Sequence, residues 1–251
     1  MSWRSVVLVL LVALVTAPVL WSVSMGSANP FRHWSEARWD SAGLAPDPAT
    51  TSDAVVQVYA ARAWGWKGIF AVHTWLIMKR EGAARYDRYE VVGWGVRHGR
   101  PAVRRDMRAI DGYWAGNLPH IVVDRRGPEV AALIGRIEAA IESYPYPDQY
   151  RSWPGPNSNT FIQAILDAVP ELGAVLPPTA IGKDYPYHGD WVGFTPSRTG
   201  LFASLGGYLG LTIGWIEGFE LNLFGGVLGF DIRRPALKLP GVGRLGLPLG
   251  P

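Results

Sequence analysis

The 251-residue chain contains no cysteine, and this absence sets the first limits on its chemistry. Disulfide bonds, cysteine-ligated metals and thiolate nucleophiles are all excluded, because each of them needs a cysteine sulfur. The five histidines are scattered without the spacing of metal ligands, so we expect no metal and no cofactor. Charge is also scarce, since 18% of the residues are charged and the net charge is only +3.

The densest basic run lies in residues 97–108 and contains five arginines. Such a run is typical of a solvated loop, and the alternative is contact with anionic lipid headgroups. No recognition helix, zinc finger or aromatic and basic RNA motif accompanies these arginines. We therefore expect no nucleic-acid partner.

The N-terminus carries a long apolar run from Val6 to Val23, preceded by Arg4. A helix of this length can span a bilayer core of about 30 Å. We interpret residues 1–28 as a membrane anchor or signal segment, followed by a linker over residues 29–53. A cleaved signal peptide ending at Gly26-Ser27-Ala28 is the alternative, but signal peptides usually have shorter apolar cores. Membrane lipid is therefore an expected partner through this predicted transmembrane helix.

Hydrophobic patterning predicts an α+β fold with an antiparallel sheet and packed helices. Predicted strands cover residues 54–60, 68–79, 89–96 and 120–124, and predicted helices cover residues 128–143 and 159–169. We assign residues 54–200 to this core and residues 201–251 to a Gly-rich β extension. In the extension, apolar residues alternate with glycine and polar residues, which is typical of strands. The uncharged stretch Leu201 to Ile216 leaves a second membrane span as the alternative.

One short motif, Asn157-Ser158-Asn159-Thr160-Phe161, falls at the start of the second predicted helix. Each of its first three residues can cap a helix, because each offers a side-chain oxygen to the free amides of the first turn. A catalytic serine needs a base within hydrogen-bond reach and donors for the oxyanion, and a helix start supplies such donors. His73, on the strand predicted at residues 68–79, is the candidate base, and Lys183 is a weaker alternative.

Tyr150, Asn157-Ser158 and Phe161 together resemble the signature of permuted papain-like proteins, which include NlpC-type peptidases and lecithin:retinol acyltransferase relatives. Those proteins carry cysteine where this chain has Ser158. The resemblance implies a permuted papain-like core over roughly residues 68–168. It also implies a catalytic set of Ser158, His73 and a third polar residue on the next strand, with Glu90 as the first choice and Tyr89 or His98 as alternatives.

The chain also resembles an uncharacterised bacterial family of membrane-anchored proteins over nearly its full length. This likeness is carried by Val55 to Ala63, His73-Thr74-Trp75, the segment Trp153 to Phe161, and Thr179 to Tyr185. It implies no established activity. An N-terminal apolar segment followed by no second clear span favours a globular part outside the cytoplasm, so we expect an address at the bacterial inner membrane with that part in the periplasm or otherwise outside the cytoplasm.

Two functions follow from these observations. We favour a non-catalytic envelope protein that binds a ligand or partner, such as a cell-wall peptide or a lipid, with Asn157, Asn159, Tyr150 and Trp153 as the candidate binding residues. The alternative is a serine-dependent amide or ester hydrolase or acyltransferase. In that case Ser158 attacks the substrate, His73 acts as general base and Glu90 orients the imidazole. The oligomeric state is not predicted by the sequence.

Overall fold

A computed structural model describes residues 2–24 and 34–247. The helices in these ranges are α1 (Trp3–Ser24), α2 (Pro128–Glu142) and α3 (Ser158–Ala168). The first five strands are β1 (Val55–Arg62), β2 (Val72–Lys79), β3 (Asp87–Val91), β4 (Val103–Arg105) and β5 (His120–Arg126). The last seven are β6 (Val192–Phe194), β7 (Gly200–Leu205), β8 (Leu209–Gly214), β9 (Gly218–Leu223), β10 (Gly226–Asp231), β11 (Ala236–Leu239) and β12 (Gly243–Gly246).

The first sheet is antiparallel with the strand order β4-β3-β2-β1-β5. Its two central strands pair along their whole length, with Val58 opposite Leu76, and β2 is buried at every position. Strands buried on both faces need apolar or paired side chains on both sides. One face packs against α2 and α3 through residues such as Ile134, Phe161 and Ile165. The other face forms a second core around Tyr59 and Trp75.

Helices α2 and α3 form close to where the sequence predicts them. Pro128 occupies the first turn of α2, where a missing backbone N–H costs nothing, and Val130, Ile134 and Ile137 form its buried stripe. By contrast, α3 is buried along residues 158–166. This helix packs on the first sheet, and Gln163 and Asp167 line a cavity that is also lined by residues of the second sheet.

The second sheet is an antiparallel meander with the order β12-β11-β10-β9-β8-β7-β6. Tight turns connect its strands, and several of these turns contain glycines with positive φ, such as Gly206 and Gly225. The period-two pattern of the Gly-rich region therefore correctly predicted strands. The alternative of a second membrane span is wrong, because residues 201–216 form β7, the turn that follows it, and β8.

The predicted fold class is wrong. The chain has a mostly β fold with two antiparallel sheets and a few helices, and not an α+β fold built on one permuted papain-like core. The physical reason is that the last third of the chain pairs only with itself. Its seven strands complete a sheet of their own and add no strand to the first sheet.

The predicted transmembrane helix is also wrong. Helix α1 forms, but no helix within residues 2–24 and 34–247 is long and apolar enough to cross a membrane. Pro18 lies inside this helix and is buried where the missing side chain of Gly241 makes room for its ring. The alternative cleavage segment Gly26-Ser27-Ala28 and the start of the proposed linker lie outside the described residues.

Two predicted strands are shorter than expected, and their limits open a gap in the first sheet. The segment before β2 forms a 3-10 helix at Gly65–Ile69, and β3 ends at Val91. Strand β3 therefore pairs with β2 only from Trp75 onward. Near Val72 the edge of β2 has no strand partner on this side, and the Val72 amide donates instead to the Thr179 carbonyl. The candidate site lies at this edge.

Candidate functional site

Ser158 is the first residue of α3, and Asn157 caps this helix. The Asn157 side-chain oxygen accepts hydrogen bonds from the amides of Asn159 (2.9 Å) and Thr160 (3.2 Å). In return, the Asn157 amide donates to the Thr160 hydroxyl at 3.1 Å, which completes a capping box. The prediction that the motif begins a helix is confirmed, with Asn157 as the cap.

Asn157 and Asn159 also tie the helix start to neighbouring backbone. Both side-chain amides donate to the Ile181 carbonyl, at 3.0 Å and 2.8 Å. Asn159 also donates to the Val72 carbonyl at the unpaired edge of β2. Gly182 is required beside this contact, because a Cβ at that position would lie 2.3 Å from the Asn157 amide nitrogen and its φ is +98°. Both asparagines line the cavity described below, but their side chains already bind the protein itself.

Ser158 differs from its two neighbours in having unused hydrogen-bonding groups. It is only 5% exposed, yet neither its hydroxyl nor its backbone amide makes a hydrogen bond to any residue in the described part of the chain. Its carbonyl accepts a hydrogen bond from the Thr74 hydroxyl at 3.2 Å. The first amides of a helix have no partner within the helix, and Ser158 belongs to the wall of the cavity described below, so its hydroxyl and amide are available there to water or to a ligand.

His73 is held by Glu90, the residue predicted to orient it. His73 Nε2 lies 3.0 Å from Glu90 Oε2, and Arg88 Nε lies 2.8 Å from Glu90 Oε1. Burial lowers the pKa of His73, and the bond to Glu90 only partly opposes this effect. Burial alone raises the pKa of Glu90, but Arg88 and His73 outweigh it and hold that pKa below its usual value. A neutral imidazole that donates from Nε2 to an ionised carboxylate keeps a lone pair on Nδ1.

Aromatic rings fix the His73 imidazole. Trp114 stacks on it with the ring centroids 3.5 Å apart, and Trp94 stacks on the other side of Trp114 at 5.4 Å. The guanidinium of Arg88 lies 4.4 Å from the Trp75 ring centre. The sequence analysis missed Trp94, Trp114 and Arg88. The two tryptophans lie in irregular segments, where no periodicity marks them, although the high tryptophan content was visible.

His73 and Ser158 line one cavity but do not bind each other. No hydrogen bond joins their side chains. Neighbouring side chains on a strand point to opposite faces, and the Thr74 hydroxyl is the group that reaches the start of α3. His73 therefore points to the face of β2 that carries Trp75 and Trp114. The two predicted catalytic residues approach the cavity from different sides of the strand.

The cavity has a volume of about 580 Å³ and is rich in aromatic side chains. Tyr150 and Trp153, both predicted as binding residues, belong to its wall, and Trp153 packs edge-on against Tyr208 with a centroid distance of 4.9 Å. Its other aromatic residues are Trp64, Trp66, Phe70, Trp94, Trp114 and Phe224. Lys67 contributes the only formal charge, and the described lining contains no carboxylate.

A second cavity of about 460 Å³ is lined by α3, the segment 183–188 and the second sheet, and its chemistry is different. Lys183, considered above as a base, pairs there with Asp184 at 2.7 Å and with Glu220 at 2.6 Å. Burial alone lowers the pKa of Lys183, but the two carboxylates outweigh it and raise that pKa, so this amine stays protonated and is no general base. Within the described residues, no group of three or more histidine, aspartate or glutamate side chains could hold a metal ion.

The fold and the site together define a two-sheet antiparallel β protein with an aromatic cavity at the start of a buried helix. The chain belongs to the family described as "Protein of unknown function (DUF3750)", whose sequence profile matches residues 53–185, more than half of the chain. These residues include the whole first sheet, α2, α3 and most of the cavity wall. No curated protein and no solved structure matches the chain.

Proposed function

We propose that the aromatic cavity binds an amphipathic ligand that has an apolar body and a carbonyl or carboxylate head. The observation that carries this proposal is the pair of unused donors on Ser158, the hydroxyl and the amide, inside a cavity lined by aromatic rings. The proposed function is therefore ligand binding without turnover.

The head group is inferred from the donors and charges among the lining residues of the cavity. The start of α3 carries the positive end of a helix dipole, which favours an anion or a carbonyl oxygen. Lys67 adds a cation, and no carboxylate among the described lining residues opposes a negative charge. The apolar body is assigned by the tryptophan, tyrosine and phenylalanine side chains, because burying apolar surface contributes about 25 cal/mol per Å².

Decanoate is a suitable probe, with decanol as its neutral partner, and isothermal titration calorimetry gives both affinities. Ser158→Ala should weaken decanoate binding about tenfold or more, because a hydrogen bond to a charged group is worth about 1.5–3 kcal/mol. Ser143→Ala, at an exposed serine after α2, is the matched control and should bind like wild type. Lys67→Met should weaken decanoate more than decanol. Absent binding to wild type, or equal binding to Ser158→Ala, would contradict the proposal.

A serine-dependent amide or ester hydrolase is the second candidate, because the His73–Glu90 pair leaves Nδ1 of a neutral imidazole free to accept a proton. In this reaction the Ser158 oxygen attacks the substrate carbonyl and His73 takes the hydroxyl proton. The leaving alcohol or amine then receives that proton, and the Ser158 amide donates to the oxyanion. We place this candidate second because no Ser158–His73 hydrogen bond is present.

Labelling with a fluorophosphonate probe separates the two candidates. A hydrolase should be labelled on Ser158, with the covalent mass absent from Ser158→Ala and strongly reduced in His73→Ala. The ligand-binding function predicts no labelling of any of the three proteins, since a serine without a base remains a poor nucleophile. Intact-protein mass spectrometry gives the readout, and a folded Ser158→Ala variant is checked by circular dichroism.

A further inference from the structure

The seven-stranded sheet has one continuous apolar face, which we call the outer face. A single cross-strand row runs over all seven strands, and each residue lies directly opposite the next. The row consists of Phe194, Leu201, Ile213, Phe219, Phe230, Leu237 and Leu245. Six of these residues are 38% to 62% exposed, and Phe219 is half-buried. Paired residues in an antiparallel sheet share a face, so the row forms one surface.

The opposite face of this sheet is buried and carries the charges. Glu220 and Lys238 lie there and bind each other at 2.6 Å, and Asp231 binds Arg244 at 3.0 Å. One-sided antiparallel sheets normally bury their apolar face and expose their polar face. This sheet has the reverse arrangement, so its outer face is suited to an apolar environment.

We propose that the outer face docks on the surface of a lipid bilayer that contains anionic lipid. The cross-strand row contains no polar or charged side chain, as the hydrocarbon boundary of a bilayer requires. Exposed tryptophans lie at both ends of the strands, with Trp191 at one end and Trp215 at the other. Tryptophan prefers the boundary between headgroups and acyl chains, because its ring is apolar and its N–H is polar.

One basic turn supplies charge complementarity to anionic headgroups. Exposed Arg233 lies in the turn between β10 and β11, at the Trp215 end of the sheet. Arg198, in the turn between β6 and β7, instead lines the cavity that α3 and the second sheet share with Asp167. The uncharged row, the tryptophans at both ends of the strands and this basic turn favour an anionic bilayer over a second protein copy.

Vesicle flotation of the full chain tests the proposal, with phosphatidylcholine vesicles prepared with and without phosphatidylglycerol. Wild type should bind, and the paired substitutions Leu201→Asp and Ile213→Asp should reduce binding about tenfold or more. Leu118→Asp, at an exposed leucine in the loop before β5, is the matched control and should bind like wild type. Arg233→Gln should reduce binding only to the vesicles with phosphatidylglycerol.

Two outcomes would overturn the proposal. One is equal vesicle binding by wild type and the Leu201→Asp, Ile213→Asp variant with both proteins folded by circular dichroism. The other is a wild-type protein that ignores vesicles and forms a dimer that this variant breaks in analytical ultracentrifugation, since the outer face would then bind a second copy. Decanoate binding to the cavity is measured without vesicles, so the proposed function stands or fails independently of this result.

Discussion

The five-stranded sheet buries its apolar side chains, whereas the seven-stranded sheet exposes them and buries its charges. The first sheet is covered on both faces by apolar cores, one against α2 and α3 and one around Tyr59 and Trp75. The second sheet presents Glu220, Asn222 and Lys238 to the rest of the protein. The two halves are therefore held by different forces, apolar burial in one and charged hydrogen bonds in the other.

The charged network on the second sheet centres on Glu220. One carboxylate oxygen accepts from Lys183 and the other from Lys238, both at 2.6 Å. Asn222 and Lys183 both donate to the Asp184 carboxylate. Residues 183 and 184 immediately follow the segment that binds the start of α3. The network thus connects the second sheet to the loop that also supports the cavity.

Removing the centre of this network gives the largest effect that we predict. Glu220→Ala leaves two buried ammonium groups without their shared carboxylate, and breaking such a buried pair costs about 3–5 kcal/mol. Urea unfolding should show this loss of free energy. Hydrogen exchange should accelerate in β8 to β10 more than in β1 and β2, because the first sheet does not depend on the network.

Glu220→Gln is the matched control, since it keeps the size and the acceptor oxygen but removes the charge. It should lose less stability than Glu220→Ala. A loss below about 1 kcal/mol for Glu220→Ala, in the range of a surface ion pair, would show that the network is not what holds the second sheet.

The sequence predicts the parts of this structure that have a regular period. The stripe of α2, the cap at Asn157 and the alternation in residues 209–223 each follow from local spacing, and each is found. Alternation does not tell which face is buried. Glycines lie beside Glu220 and Asn222 on the inner face, which is the face of the second sheet opposite the outer face. The ion pairs of Glu220 with lysines that are distant in sequence show that this face points inward.

The candidate site likewise combines residues that the sequence predicts with contacts that depend on the tertiary fold. The sequence itself indicated the helix start with Ser158 and the candidate base His73, and a resemblance added Glu90, which binds His73. His73 and Ser158 approach from different sides because α3 packs on the face of β2 that does not carry His73. No local sequence pattern predicts which face of a strand a helix covers. Trp114, which holds His73, lies in an irregular segment. The address outside the cytoplasm stays a prediction.

Asp167 is a partly buried carboxylate without the cationic partners that Glu220 has. It lines the cavity between α3 and the second sheet. Its carboxylate accepts hydrogen bonds from the Tyr187 hydroxyl at 2.7 Å and from the Gln163 amide at 3.2 Å. Burial nevertheless raises its pKa from 3.8 to about 6. Unlike Glu220, Asp167 has no lysine or arginine within ion-pair distance among the described residues.

This contrast gives the smallest effect that we predict, a pH dependence. The raised pKa means that the folded protein binds the Asp167 proton more tightly than the unfolded chain. The resulting stabilisation is complete below pH 3.8 and is lost as the pH rises through about 6. The full change corresponds to about 3 kcal/mol at most. Asp167→Asn removes this titration, so it should gain stability relative to wild type as the pH rises through this window.

Urea unfolding of wild type and Asp167→Asn from pH 4 to pH 7 measures the effect. The free-energy difference between the two proteins should grow toward neutral pH. Parallel curves would mean that Asp167 titrates equally in both states and that the cavity hydrates it. In that case the second sheet would not desolvate the Asp167 side of α3, whereas Glu220 and its lysines are buried at the same sheet.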